Sequence, residues 1–165
     1  MKTGKIRIYS GDGHGKTPAA LGEALYAASA GKQVVVIQFM KGKGIFENDF
    51  VKRLEPEIKI FRFEKSDGNF DELSEEKKNE EIINIKNGLN FAKKVLATGE
   101  CDLLILDEVL GLIDNHISTV DDLKNLLEGK DEDTDIIMTG ITLNDEICML
   151  ADEVSRIETL KFKCW

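Results

Sequence analysis

The sequence predicts an α/β fold with a mainly parallel central sheet flanked by helices, and three observations carry that reading. First, QVVVIQF (residues 33–39) and DLLIL (102–106) are nearly continuous apolar runs, as in strands buried on both faces. Second, helix-patterned segments alternate with the strands. In residues 74–98, Ile82, Ile85, Leu89, Ala92 and Leu96 recur at 3-4-3-4 spacing and make one apolar stripe. Third, a glycine-rich turn, SGDGHGKT, joins the first strand to the first helix. Strands separated by helices make βαβ units, whose crossovers force parallel pairing.

The elements follow in order. Residues 5–9 (KIRIY) form a short strand that runs into the glycine turn. Residues 17–30 are rich in Ala and Leu and suit a helix closed by Gly31. The strand at 33–39 comes next, then an alternating strand at 58–63. The long helix at 74–98 ends at Gly99 and leads to the strand at 102–106. Residues 118–127 read as a helix with Ser118 as N-cap and Asp121 and Asp122 near its positive end. A strand at 134–139, a short helix at 144–151 and a strand at 153–160 complete the chain. Residues 41–50 and 65–78 are expected as loops, and the acidic run 131–135 as a solvated one.

At 165 residues the chain is read as one domain, residues 1–165, long enough for a sizeable core. Its net charge of −9 argues against a general nucleic-acid binder, which needs a basic face. The three cysteines, Cys101, Cys148 and Cys164, are an odd count without CxxC spacing, which points to reduced thiols. Cys148 is expected in the core, and His116 in a surface loop. No run is long enough for a membrane span, and the N-terminus lacks the apolar stretch of a signal peptide. These features predict a cytoplasmic protein.

The chemistry concentrates in two segments. Gly11, Gly13 and Gly15 lie between a strand and a helix, where backbone N–H groups can converge on phosphate oxygens. Lys16 adds a point charge and Thr17 a hydroxyl for Mg²⁺. Ser10 stands where the usual phosphate-loop spacing has glycine, so the loop is a variant. The second segment is LLILDE (103–108), an apolar strand that ends in Asp107 and Glu108. Ligands of open parallel sheets bind at the carboxyl ends of strands, and an acid there can hold Mg²⁺ directly or through water. Together the two segments predict a nucleoside triphosphate–Mg²⁺ site.

The loop GDGHGKTPAALG resembles the GNGKGKTTAA loop of the ATP:corrinoid adenosyltransferases of cobalamin biosynthesis. The resemblance continues through VVVIQFMKG (34–42), similar to that family's QFxKG strand end, and CDLLILDEV (101–109), similar to its DxVxLDE segment. IIMTG (136–140) and EICMLADEVSRIE (146–158) resemble its TGR…ADLVTEM ending. The resemblance implies a RecA-like P-loop fold, a homodimer, and transfer of the adenosyl group of ATP to the Co(I) of a corrinoid with release of triphosphate. Carried over residue by residue, it puts ATP at Gly11, Asp12, Gly13, His14, Gly15, Lys16, Thr17 and Pro18. It puts Lys41 near the phosphates or the corrinoid. It implies catalytic roles for Lys16, Asp107 and Glu108, and Mg²⁺ at Thr17 and Asp107.

The chain departs from the family pattern at Asp12 (usually Asn), His14 (usually Lys), Pro18 (usually Thr) and Ile141 (usually Arg). Residues 64–70 also lack the family's Trp. Two other classes fit the residues taken alone: a noncatalytic nucleotide- or corrinoid-binding protein, and a phosphotransferase or NTPase in which Glu108 orients a nucleophile.

Overall fold

The structure, a computed structural model, describes residues 3–12, 14–40, 49–66, 69–161 and 163. Its centre is a six-stranded sheet of β1 (Ile6–Ser10), β2 (Val34–Gln38), β3 (Ile58–Arg62), β4 (Leu103–Asp107), β5 (Asp135–Gly140) and β6 (Glu153–Arg156). The order across the sheet is β3-β2-β4-β5-β1-β6, and every pairing is parallel. The fold class read from the sequence is therefore the observed one.

The period-2 alternation of the strands sorts the core into two layers. Val34, Val36, Leu103, Ile105 and Ile137 face α1 (Lys16–Ser29), whose Ala20 and Ala24 let it lie close to the sheet. Val35, Ile37, Leu104, Leu106, Ile136 and Met138 face the opposite layer. That layer holds α3 (Glu75–Thr98), α4 (Val109–Asp114), α5 (Val120–Glu128) and α6 (Asp145–Met149). A short α2 (Asp49–Lys52) precedes β3.

Local chemistry sets the element ends. Gly99 closes α3 in the left-handed region (φ 63°), where a side chain would be strained. The face of α3 that buries Ile85, Ala92 and Leu96 is the expected one, and it also carries Glu81, Gly88 and Val95. The N-cap of α5 is Thr119 instead of Ser118. Asp122 N–H donates to the Thr119 hydroxyl, and the Asp122 carboxylate accepts from Thr119 N–H, a reciprocal capping box that Ser118 is one residue too early to make.

Three further expectations need correction. The last strand stops at Arg156, because the chain then turns across β1: Ile157 N–H donates to Ser10 O at 2.8 Å. Within 65–78, Phe70–Glu72 is a 3-10 turn, and residues 75–78 already belong to α3. Cys148 is only half-buried. Residues 131–133 are an exposed loop, as expected, and Asp131 shapes its turn into β5: its Oδ1 accepts from the N–H of Asp133 and from both the N–H and hydroxyl of Thr134. His116 is exposed, as expected. Burial pushes the Cys101 thiol up to about 12, which keeps it protonated and inert. Among the described residues no helix is long and apolar enough to cross a membrane.

Candidate functional site

The site forms where the α1-facing series of three strands runs out of apolar residues. Val34 and Val36 are followed by Gln38, Leu103 and Ile105 by Asp107, and Ile137 by Thr139. Gln38 and Asp107 are register partners, and Leu106 and Met138, the residues just before Asp107 and Thr139, pair with each other. The three polar side chains therefore lie side by side at the carboxyl edge of the sheet, beneath the N-terminus of α1. Each is at most 2% exposed.

Asp107 is the hub. Its Oδ1 accepts from the Thr139 hydroxyl at 2.7 Å and from the Thr17 hydroxyl at 2.9 Å. Its Oδ2 accepts from Gln38 Nε2 at 3.2 Å and from Thr17 at 3.1 Å. A buried carboxylate is costly unless such donors surround it. Thr139 serves twice, because its oxygen also accepts from the Glu108 N–H at 2.7 Å. That bond fixes Glu108 in the left-handed region (φ 61°) as the chain leaves the sheet for α4.

The glycine loop delivers Lys16 and Thr17 to this edge. Gly15 is the N-cap of α1 with φ 123°, a conformation that L side chains rarely adopt. Ala19 N–H to Gly15 O, 2.8 Å, opens the helix. Pro18 lies ahead of that bond, in the first turn, where its missing N–H has no intrahelical acceptor. Lys16 is buried, and Thr17 is half-buried against Asp107. The side chains of Asp12, His14 and Pro18 are exposed. Gly13 and Lys41 lie outside the described residues.

The structure thus brings Lys16, Thr17 and Asp107 together, with Glu108 beside them. Sequence reasoning did not single out Gln38 and Thr139. Their signal was present: each is the polar terminus of an apolar strand, at the same phase of the alternation as Asp107. Two protein oxygens, the Thr17 hydroxyl and the Asp107 carboxylate, suit Mg²⁺, which takes few protein ligands and completes its shell with phosphate and water. Among the described residues no cluster of three or more His, Cys, Asp or Glu offers an all-protein metal site.

A cavity of about 320 Å³ adjoins this edge, lined by Met40, Glu64, Ser66, Phe70, Glu81 and Asn115 among others. Met40 N–H donates to Glu64 Oε1 at 2.6 Å, and Lys65 and Ser66 N–H donate to Glu81 Oε1 at 3.2 Å each. Burial pushes the Glu64 carboxyl up from its ordinary 4.5 to about 7; the Met40 N–H pulls against that, and the neighbouring Glu81 adds to it. Glu108 Oε2 and Met40 Sδ approach Gly111 from this side; a Cβ there would lie 3.7 and 3.9 Å from them.

A parallel sheet with a glycine loop, a Lys-Thr pair at a helix N-terminus and an Asp at the end of a central strand defines a P-loop α/β protein of the RecA-like class. The fold is shared with the flagellar accessory protein FlaH from Methanocaldococcus jannaschii, at a TM-score of 0.58 and 16% identity over 99% of this chain and 75% of that one. The chain belongs to the ATP:corrinoid adenosyltransferase family BtuR/CobO/CobP, whose pattern matches residues 2–164. It is 29% identical over 158 residues to the corrinoid adenosyltransferase of Escherichia coli (strain K12), covering 96% of this chain and 78% of that one. It is 28% identical over the same length and shares to corrinoid adenosyltransferase CobA of Salmonella typhimurium. The family uses ATP and a corrinoid.

Proposed function

We propose that this chain transfers the 5′-deoxyadenosyl group of ATP to the Co(I) of a corrinoid. The reduced cobalt attacks C5′ of the ribose, a Co–C bond forms, and the C5′–O bond breaks with its electron pair going to the triphosphate. Cobalt is itself the nucleophile, so the protein positions ATP and stabilises the departing charge. Lys16, the loop N–H groups and the positive end of α1 meet the triphosphate. Thr17 and Asp107 would hold Mg²⁺, which supplies further neutralisation of phosphate charge. Gln38 and Thr139 hold Asp107 aimed at Thr17. Glu108 would serve the metal's water shell, and Lys41 is assigned to binding the phosphates or the corrinoid. The cavity beside Glu108 and Met40 receives the edge of the corrinoid. The same reading includes a homodimer in the cytoplasm.

The observation that carries it is the contact between Thr17 and Asp107, 2.9 Å, which joins the loop to the strand end beneath the helix N-terminus. Incubation with ATP, Mg²⁺ and chemically reduced cobalamin tests the proposal. The expected result is the absorbance of a Co–C bond together with one equivalent of triphosphate. ADP and phosphate in place of triphosphate would make the protein a phosphotransferase or NTPase. ATP binding without any product would make it a noncatalytic nucleotide binder.

A further inference from the structure

The segment after β6 lies directly against the glycine loop. Ser10 is paired with Arg156 across the β1–β6 ladder. The Ser10 hydroxyl donates to Ser155 O at 3.2 Å, and Ile157 N–H donates to Ser10 O at 2.8 Å. Ile157 O then sits so close to Gly11 that a Cβ there would lie 2.3 Å from it, an overlap between backbone groups that no rotamer change relieves. Gly11 (φ 116°) is therefore glycine for the sake of this crossing segment as well as for its own backbone angle. Ile157 also covers Gly15, its Cγ2 3.8 Å from where a Cβ would be. Two residues on, the exposed Thr159 hydroxyl accepts from the backbone N–H of His14 at 3.2 Å.

That N–H lies in the middle of the loop that the proposed function reads as the triphosphate cradle, and the inference rests on that reading. We propose that Thr159 is a positioning residue for the phosphate loop: its hydroxyl holds the His14 N–H in the nucleotide-free chain and yields it to a phosphate oxygen when triphosphate binds. An N–H directed at a neutral hydroxyl at 3.2 Å makes a long, weak bond. The same N–H directed at a phosphate oxygen makes a charge-assisted bond roughly twice as strong. The exchange therefore favours the ligand, but part of the gain is spent in breaking the resting contact. Thr159 lowers triphosphate affinity by that amount and links the edge strand to the state of the loop.

Two substitutions separate the hydroxyl from the shape of the side chain. Thr159→Val keeps the branched shape and removes the acceptor, whereas Thr159→Ser keeps the acceptor. Inorganic tripolyphosphate and ATP, each with Mg²⁺, are titrated calorimetrically into the wild type and both variants, with adenosine as control. Thr159→Val is expected to bind tripolyphosphate and ATP roughly three- to tenfold more tightly. Thr159→Ser is expected to match the wild type, and adenosine to bind equally to all three. Equal tripolyphosphate affinity in all three proteins, or weaker binding by Thr159→Val, would overturn the role of Thr159 and leave the cradle standing. Absence of tripolyphosphate binding in all three would overturn both. Because Thr159 is exposed, the three proteins are expected to melt together.

Discussion

Thr139→Val is the perturbation that reaches deepest into the site with the smallest change in shape. It replaces a hydroxyl by a methyl at a position with no solvent exposure. Two bonds of 2.7 Å disappear at once: the donation to Asp107 Oδ1 and the acceptance from Glu108 N–H. A hydrogen bond to a charged acceptor contributes about 1.5–3 kcal/mol, and a deprived N–H costs about 1–3 kcal/mol, toward the low end here because Glu108 is half-buried. The expected loss is therefore about 3 kcal/mol. For 165 residues that corresponds to a fall in Tm of roughly 6–12 °C. Thr139→Ser keeps both bonds and loses one buried methyl, so it is expected to cost about 1 kcal/mol. Urea unfolding of the three proteins, followed by circular dichroism, measures this. A Val variant within 1 kcal/mol of wild type would refute the reasoning, as would a Ser variant that loses as much as Val. Either result would mean that the Thr139 hydroxyl is not what holds Asp107 and Glu108 in place.

Three other outcomes are expected. Lys16→Ala removes the ammonium at the helix N-terminus and is expected to abolish the rise in Tm that ATP gives, which thermal melts with and without nucleotide detect. Asp12→Asn, His14→Lys and Pro18→Thr made together restore about two units of positive charge and one N–H, and are expected to tighten ATP binding at least about tenfold by calorimetry, with a smaller gain at high salt. Glu64 has a folded-state pKa raised from 4.5 to about 7, so the stability it contributes is fully present below pH 4.5 and is lost as pH rises through 7. That loss is about 2–3 kcal/mol. Glu64→Gln is expected to flatten the urea midpoint across this window and to be the more stable protein above it.

Much of the fold was legible because the strands are buried on both faces and the helices are not. QVVVIQF and DLLIL could hardly be anything other than central strands, and the stripe on α3 shows which side it buries. The loop, Lys16, Thr17 and Asp107 were legible because their chemistry lies in short local patterns. Gln38 and Thr139 were not read as site residues, since their meaning depends on which strands are neighbours. β5 lies beside β4 only through a crossover, and nothing local to TDIIMT announces that pairing. The early end of β6 has the same character. Alternation continues past Arg156, but Gly11 opens a path for the backbone that a strand-by-strand reading cannot see. Cys148 was placed too deep because α6 has five residues and cannot bury a whole face.

The departures from the family's loop fall where the fold is indifferent to them. Asp12, His14 and Pro18 are exposed, and Pro18 occupies a first-turn position whose N–H no helix carbonyl needs. Changes at positions 12, 14 and 18 therefore act on ligand charge and donors while leaving stability nearly unaltered. Changes in the buried row act on both, because the bonds that aim Asp107 at Thr17 are the same bonds that make its burial tolerable. The proposed site is thus divided between a loop whose exposed side chains can tune affinity residue by residue, and a strand-end network whose geometry is inseparable from the folding of the sheet.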